Sequence, residues 1–160
     1  MVKSKVNVHF LLNTLQCIYS LALKKSDNTA DGIMNLTLLM KYIVAETDEV
    51  LVPLQKEISF LQHYIALEKL KKPDLKLKFV TDGVTDQILL PPMILESFVN
   101  NAFKYNDYLS GGLIDINISC MGKDILFTCR NAVNKSITKN IHSTKKGIEN
   151  TKNRLELHYK

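Results

Sequence analysis

Residues 6–23 form a long apolar run without a formally charged side chain, and this run constrains the fold more than any other part of the sequence. Its length approaches that of a transmembrane helix, and lysines precede it. Polar side chains interrupt the run at helical spacing, namely His9, Asn13, Gln16 and Ser20. Burying these groups in lipid would be costly, so we reject a membrane span and predict a helix with one polar face.

The rest of this helix is apolar around most of its circumference, which predicts burial on several sides, as in a helix bundle. A turn at residues 26–28 leads to a second predicted helix over residues 31–46. Its apolar stripe consists of Ile33, Leu36, Met40 and Ile43 with Val44. Two helices cannot bury this much apolar surface alone, so we predict a homodimer through residues 1–48 that forms a four-helix bundle.

The composition suits a globular protein with one ordinary domain or two small ones, since 46% of the 160 residues are hydrophobic and 23% are charged. Lys and Arg outnumber Asp and Glu by 21 to 16, which favours an anionic partner such as a nucleotide. Acidic residues lie among the lysines, and this mixture argues against a nucleic-acid surface. The three cysteines lack paired spacing, which indicates reduced thiols in a cytosolic setting and argues against a zinc site.

The remainder of the chain predicts an α+β layout. A third helix begins at Pro53 and ends before Pro73, and its apolar side consists of Leu54, Ile58, Leu61, Ile65, Leu67 and Leu70. After it we predict a half-buried strand at residues 75–80, a short apolar run at 88–90 and a helix from Pro91 and Pro92 to Tyr105. The last part of the chain predicts paired strands at 114–118 and 125–129, a mobile loop at 131–146 and a helix at 147–159. We expect an antiparallel sheet with helices on one face.

Three groups of residues could carry chemistry. His9 lies on the polar face of its helix, where an exposed imidazole is a nucleophile near neutral pH. Asn101 and Lys104 share a helical face, where an amide oxygen can bind Mg²⁺ and an ammonium group can neutralise phosphate. Gly147 opens a helix after a loop, which lets backbone amides approach phosphate. Each feature alone is more often structural.

Taken together and in this order, these groups resemble the LytS-like sensor histidine kinases of two-component signalling. That family carries NPHFLFNTL around its phosphorylated histidine, and this chain has NVHFLLNTL. The family's middle pattern is PLxxEIxxxxxYIxLxKL, and the residues that match it are Pro53, Leu54, Glu57, Ile58, Tyr64, Ile65, Leu67, Lys69 and Leu70.

Two further patterns extend the resemblance toward the end of the chain. The family's proline-pair pattern is PPxxLxxxVxNAxKH, and the residues that match it are Pro91, Pro92, Leu95, Val99, Asn101, Ala102 and Lys104. Its closing pattern is GxGLxNxxxRLxxxY, and the residues that meet it are Gly147, Ile148, Asn150, Arg154, Leu155 and Tyr159. The resemblance therefore covers nearly the whole chain.

The resemblance implies an N-terminal helical hairpin, dimeric as a four-helix bundle, followed by an α/β-sandwich ATPase domain of the histidine kinase type. Residues 1–48 would carry dimerisation and the phosphoacceptor histidine. Residues 49–160 would form a GHKL-type ATP-binding domain that lacks its last strands, because relatives continue beyond Tyr159. The chain would be a cytoplasmic fragment of a bacterial inner-membrane protein that is anchored upstream.

The resemblance also implies a protein histidine kinase that uses ATP and Mg²⁺. His9 would attack the γ-phosphate, hold it as a phosphoramidate and pass it to an Asp on the receiver domain of a response regulator. Asn101 would bind Mg²⁺ beside Lys104. Asn131 would accept a hydrogen bond from the adenine amino group. Gly147 would line the phosphates.

Several positions depart from the family's patterns. Val8 replaces the proline before the histidine, Tyr105 replaces the histidine after the lysine, and Lys145 replaces the first glycine of the closing pattern. No Asp-x-Gly-x-Gly sequence follows Asn131, where many relatives carry an adenine-reading Asp. These departures leave a second interpretation open, in which the chain is a catalytically degenerate dimerisation and docking module of the same fold.

Overall fold

The structure, a computed structural model, describes residues 8–84, 87–133 and 146–158. Within these ranges the chain forms five helices and two small sheets, which agrees with the expected mixture of helix and strand. The helices are α1 (Val8–Leu23), α2 (Asn28–Glu46), α3 (Leu54–Lys71), α4 (Glu96–Tyr105) and α5 (Lys146–His158). The strands are β1 (Val52–Pro53), β2 (Lys76–Asp82), β3 (Leu89–Leu90), β4 (Leu113–Met121) and β5 (Asp124–Asn131).

Helix α1 confirms the predicted polar face, since all four of its members are exposed: His9, Asn13, Gln16 and Ser20. The helix contacts α2 and α3, and its two buried residues are Thr14 and Ile18. Other apolar side chains of α1 remain at least 52% exposed in the single chain: Val8, Leu12, Leu15, Tyr19 and Leu23. One chain therefore covers only part of the apolar surface of α1.

Helix α2 begins at Asn28, earlier than the predicted residue 31, and its predicted apolar stripe is wrong in part. Ile33 is 53% exposed and Val44 is 75% exposed, whereas Leu39 and Tyr42 are buried. The reason is that α2 packs along α3, so the face of α2 that points toward α3 decides which residues are buried. Helices α1, α2 and α3 pack tightly at Gly32, since a Cβ there would lie 3.1 Å from side-chain atoms of both Ile18 and Leu70.

Helix α3 confirms the predicted apolar face and lies at the centre of the core. Its predicted residues Leu54, Ile58, Leu61, Ile65 and Leu67 are buried, and Leu70 is partly buried. The same core cluster includes residues of α2, α4 and β4. Apolar packing is therefore continuous across the predicted boundary at residue 48, and the division into two domains stays a prediction.

The sheets differ from the expected antiparallel arrangement. The small sheet pairs β1 with β3 in antiparallel fashion, and the larger sheet has the order β2-β4-β5. In the larger sheet β2 runs parallel to β4, with Lys76 opposite Leu113. The segment between these strands contains β3 and α4, and a crossover that includes a helix can return the chain in the same direction. Strands β4 and β5 form the predicted antiparallel hairpin, which turns at Gly122.

Helix α4 begins at Glu96, not at the proline pair as predicted. The residues between the prolines and Glu96 form a turn, and Met93 has a left-handed backbone with φ of 55°. Because a left-handed residue cannot continue a right-handed helix, the regular hydrogen-bond pattern starts only after this turn. The predicted end at Tyr105 is confirmed, and the amide of Asn106 caps the helix by donating to Ala102 O at 3.1 Å.

Helix α5 agrees with the predicted final helix as far as His158, while Tyr159 lies outside the described residues. It is joined to the turn before α4 by Arg154, whose Nη2 donates to Pro92 O at 2.8 Å. The predicted mobile loop at 131–146 lies mostly outside the described residues, which stop at 133 and resume at 146. None of the described helices is both long and apolar enough to cross a membrane.

Candidate functional site

Helix α4 carries two of the predicted site residues on its polar side. Its apolar side is buried through Val99, Ala102 and Phe103, which fixes the rotation of the helix against the core. With this rotation Asn101 is half-buried and Lys104 is exposed. Lys104 Nζ lies 5.2 Å from the centroid of the Tyr105 ring. The helix therefore presents an amide and an ammonium group next to each other at the edge of the core.

The end of β5 is held against the end of α4. The amide of Asp107 donates to Ala132 O at 2.8 Å, and Asn106 forms an isolated β-bridge with Val133. These bonds bring Asn131, the last residue of β5, to the region where α4 ends. Its Nδ2 donates to Ala132 O at 3.2 Å, so its Oδ1 is the atom that could accept a hydrogen bond from a ligand amino group.

Gly147 is the second residue of α5, and α5 contacts α4. Side chains of α4, β5 and α5 also surround a common apolar cavity of about 480 Å³, whose lining includes Phe98, Phe127 and Leu155. The structure thus brings together the three elements that carry Asn101, Lys104, Asn131 and Gly147. The cavity itself lies at the hairpin end of β5, and Asn131 lies at the opposite end of that strand.

His9 lies on a different helix, where its imidazole is exposed beside Asn13. The Nδ2 atom of Asn13 is 3.1 Å from His9 Nδ1. An amide can present either its nitrogen or its oxygen to a ring nitrogen, according to the rotation of the side chain. With the oxygen toward the ring, Asn13 would accept a hydrogen bond from Nδ1–H and leave the lone pair of Nε2 as the nucleophile.

An aromatic chain connects the helix of His9 to the helix of Asn101. Phe10 stacks on Tyr64 of α3 with ring centroids 4.6 Å apart, and Tyr64 contacts Phe103 of α4 at 5.8 Å. The hydroxyl of Tyr64 also donates to Asn100 Oδ1 at 3.3 Å. Phe10 follows His9 in the sequence, Asn100 precedes Asn101, and both Phe10 and Asn100 contact Tyr64. Tyr64 of α3 therefore connects the helix of His9 with the helix of Asn101.

Glu57 is a buried carboxylate to which the sequence analysis gave no role. It is fully buried on the apolar face of α3, and its Oε1 accepts hydrogen bonds from the Tyr42 hydroxyl and, at 2.6 Å, from the Met93 amide. Burial raises the pKa of Glu57, and the hydrogen bonds from Tyr42 and Met93 act in the opposite direction. The signal in the sequence is its spacing, because Glu57 follows Leu54 by three residues and so lies within the apolar stripe.

A second partly buried carboxyl lies near the first. Burial, followed by the negative charge of Glu57, raises the pKa of Glu96 at the start of α4 to about 7. No group of three or more His, Cys, Asp or Glu side chains that could hold a metal ion occurs among the described residues. A metal at Asn101 would therefore need oxygen ligands from another source, such as the phosphates of a nucleotide.

The exposed His9 lies on a helical hairpin that contacts α3, and Tyr64 of α3 contacts the helix of Asn101 and Lys104. A family model described as histidine kinase matches residues 1–76. The chain is similar to the sensor protein LytS of Bacillus subtilis, with 29% identity over 65% of this chain and 18% of that protein. It is similar to the sensor protein LytS of Oceanobacillus iheyensis, with 30% identity over 74% of this chain and 21% of that protein.

The similarity to a third relative extends along nearly the entire chain. It is the sensor histidine kinase YpdA of Escherichia coli, with 24% identity over 99% of this chain and 30% of that protein. The chain belongs to the LytS-like family of sensor histidine kinases. It spans about a fifth of the length of the LytS proteins named above.

Replacing Glu96 with Gln should stabilise the fold above neutral pH. The pKa of Glu96 rises from 4.5 to about 7 on folding, so between these values the folded chain binds more protons than the unfolded chain. The free energy of unfolding therefore falls as the pH rises through this window. Glu96→Gln removes this loss and should raise the free energy of unfolding by about 1–3 kcal/mol at pH 8, and by much less at pH 4.

Urea denaturation at the two pH values measures this difference. The matched control is Glu49→Gln, because Glu49 is exposed. Glu49→Gln removes an exposed carboxyl and leaves the Glu57–Glu96 pair intact. Equal effects of Glu96→Gln at both pH values would contradict the assignment.

Proposed function

We propose that the chain is the catalytic region of a two-component sensor kinase, which transfers the γ-phosphoryl group of ATP to His9 and then to an Asp of a response regulator. The observation that carries this proposal is the exposed His9 in its family motif, on a helix connected through Tyr64 to the helix of Asn101. We further propose that the parent protein is anchored in the membrane upstream of residue 1 and that this region is cytoplasmic.

The chemistry of the first step follows from a neutral imidazole. The lone pair of a ring nitrogen of His9 attacks the γ-phosphorus, a P–N bond forms, and the bond to the β–γ bridging oxygen breaks as ADP leaves. The ring releases one proton in this step. In the second step a carboxylate oxygen of the response regulator attacks the same phosphorus, the P–N bond breaks, and the ring regains a proton.

The residues of α4, β5 and α5 would bind the nucleotide. Asn101 offers a neutral oxygen, the ligand type that Mg²⁺ accepts, and bound Mg²⁺ would neutralise charge on the phosphates. Lys104 would add a positive charge one helical turn away. Asn131 would accept a hydrogen bond from the adenine amino group, and the amides at the start of α5 near Gly147 would approach the phosphates.

A homodimer would complete the helical hairpin. The apolar side chains of α1 that one chain leaves exposed are suited to a second copy, since helix bundles bury such surfaces between helices. If the chain proves unable to bind Mg-ATP, the docking-module interpretation replaces that of an active kinase.

Asn101→Ala should weaken Mg-ATP binding by roughly 10- to 1000-fold, because it removes an oxygen ligand that positions the metal and the phosphates. Isothermal titration calorimetry with Mg-ATP measures this. The control is Asn117→Ala, since Asn117 lies on β4 and its amide contacts Asp115. Unchanged affinity in Asn101→Ala, with measurable binding by the wild type, would contradict the role of Asn101.

His9→Gln should abolish phosphorylation and leave the fold intact. The side chain is exposed, so the change in the free energy of unfolding should be about 0.5 kcal/mol or less. Incubation with γ-labelled ATP should label the wild type with a phosphoramidate, which is labile in acid and stable in base. His158→Gln, at an exposed histidine of α5, is the control and should keep the label. Label that persists in His9→Gln, or that survives acid, would show the mechanism to be wrong.

Light scattering should give about twice the chain mass of 18.2 kDa at micromolar concentration, because bundle interfaces of this type are large and apolar. Leu15→Glu should convert the dimer to a monomer, since Leu15 is a half-exposed apolar residue of α1. The adjacent Gln16→Glu adds the same charge on the polar face and should leave the dimer intact. A monomeric wild type would count against the homodimer.

A further inference from the structure

The hydroxyl of Tyr42 and the carboxylate of Glu57 connect two helices and the turn before a third at one point in the core. Tyr42 lies on α2, Glu57 lies on α3, and Met93 lies in the turn that leads into α4. A single oxygen, Glu57 Oε1, accepts hydrogen bonds from both the Tyr42 hydroxyl and the Met93 amide. The turn before α4 is therefore connected to α2 through the buried hydrogen bonds among Tyr42, Glu57 and Met93.

The carboxyl group of Glu57 and the ring of Tyr42 lie within the core. Glu57 is fully buried and Tyr42 is 9% exposed, with its ring centroid 4.7 Å from that of Phe60. The second carboxylate oxygen, Oε2, has no partner within hydrogen-bonding distance among the described residues, although the amides of Ile94 and Leu95 lower the pKa of the group. Loss of the Tyr42 hydroxyl would thus remove one of the two hydrogen bonds that the carboxylate makes within bonding distance.

The position of Met93 gives this connection a route to the proposed nucleotide site. Met93 has a left-handed backbone, so its orientation sets where the first turn of α4 begins. Asn101 follows on the same helix, and a helix transmits a shift of one end to the other because its backbone hydrogen bonds make it stiff.

We propose that Tyr42 and Glu57 are positioning residues, which set the location of Asn101 according to the placement of the helical hairpin. This inference rests on the proposed function, since it concerns the Mg-nucleotide site at Asn101. It gives Glu57, which the family pattern contains, a task besides core packing. It also provides a physical path by which a displacement of α2 relative to α3 would alter nucleotide binding.

A double-mutant cycle tests this inference with Mg-ATP as the probe and the whole 160-residue chain as the material. Tyr42→Phe removes only the hydroxyl and should weaken Mg-ATP binding about tenfold. In the Asn101→Ala background the same substitution should change affinity less than about twofold, because there is no longer a ligand at residue 101 to misplace. A general loss of stability would instead weaken binding by the same factor in both backgrounds.

Ile118→Val is the matched control for stability. Ile118 is 1% exposed in β4, and its truncation destabilises the core without touching the Tyr42–Glu57–Met93 connection. It should lower the melting temperature and leave the Mg-ATP affinity of the folded chain unchanged. If Tyr42→Phe fails to fold, Glu57→Asp serves in its place, because it keeps the carboxyl group and withdraws it by one methylene group.

The outcomes separate this inference from the proposed function. Wild-type affinity for Mg-ATP in a folded Tyr42→Phe variant, or an equal loss of affinity in both backgrounds, would overturn the inference. The nucleotide site would still be upheld if the wild type binds Mg-ATP and Asn101→Ala weakens that binding. Failure of the wild type to bind Mg-ATP would overturn both.

Discussion

A buried carboxylate must find hydrogen-bond donors, and in this chain that requirement ties the helical hairpin to the remainder of the fold. Glu57 satisfies it with the Tyr42 hydroxyl from α2 and the Met93 amide from the turn before α4. These two hydrogen bonds connect α2, α3 and the turn before α4 within the apolar core. The Phe10–Tyr64–Asn100 contacts supply a second connection through α3.

The elements with a strong local signal could be predicted from the sequence, and those decided by distant contacts could not. The period of His9, Asn13, Gln16 and Ser20 predicted the exposed face of α1, and alternating isoleucines with a glycine turn predicted the β4–β5 hairpin. The parallel pairing of β2 with β4 is set by a long crossover. The late start of α4 follows from the left-handed backbone of Met93. The amide of Met93 donates a hydrogen bond to Glu57, which lies far away in the sequence.

The same distinction applies to the site. The motifs predicted the residues of α4, β5 and α5 as a group, and the structure shows that α4 contacts both β5 and α5. The bond that holds the end of β5 against α4, from the Asp107 amide to Ala132 O, joins backbone atoms and therefore has no signature in the side chains. Glu57 had a visible signal, a charged residue on an apolar stripe, but its partners Tyr42 and Met93 depend on how α2 and α4 pack.

The proposed function assigns the binding of a magnesium-bound nucleotide to residues of α4, the end of β5 and the start of α5. The most direct measurement is an amide chemical-shift titration of the wild-type chain with Mg-ATP. The account predicts saturable shifts that are largest in the second half of α4, at residues 130–133 and at the first turn of α5, with smaller shifts at α2. Absence of shifts at millimolar Mg-ATP, or shifts confined to α2 and α3, would contradict the proposed function.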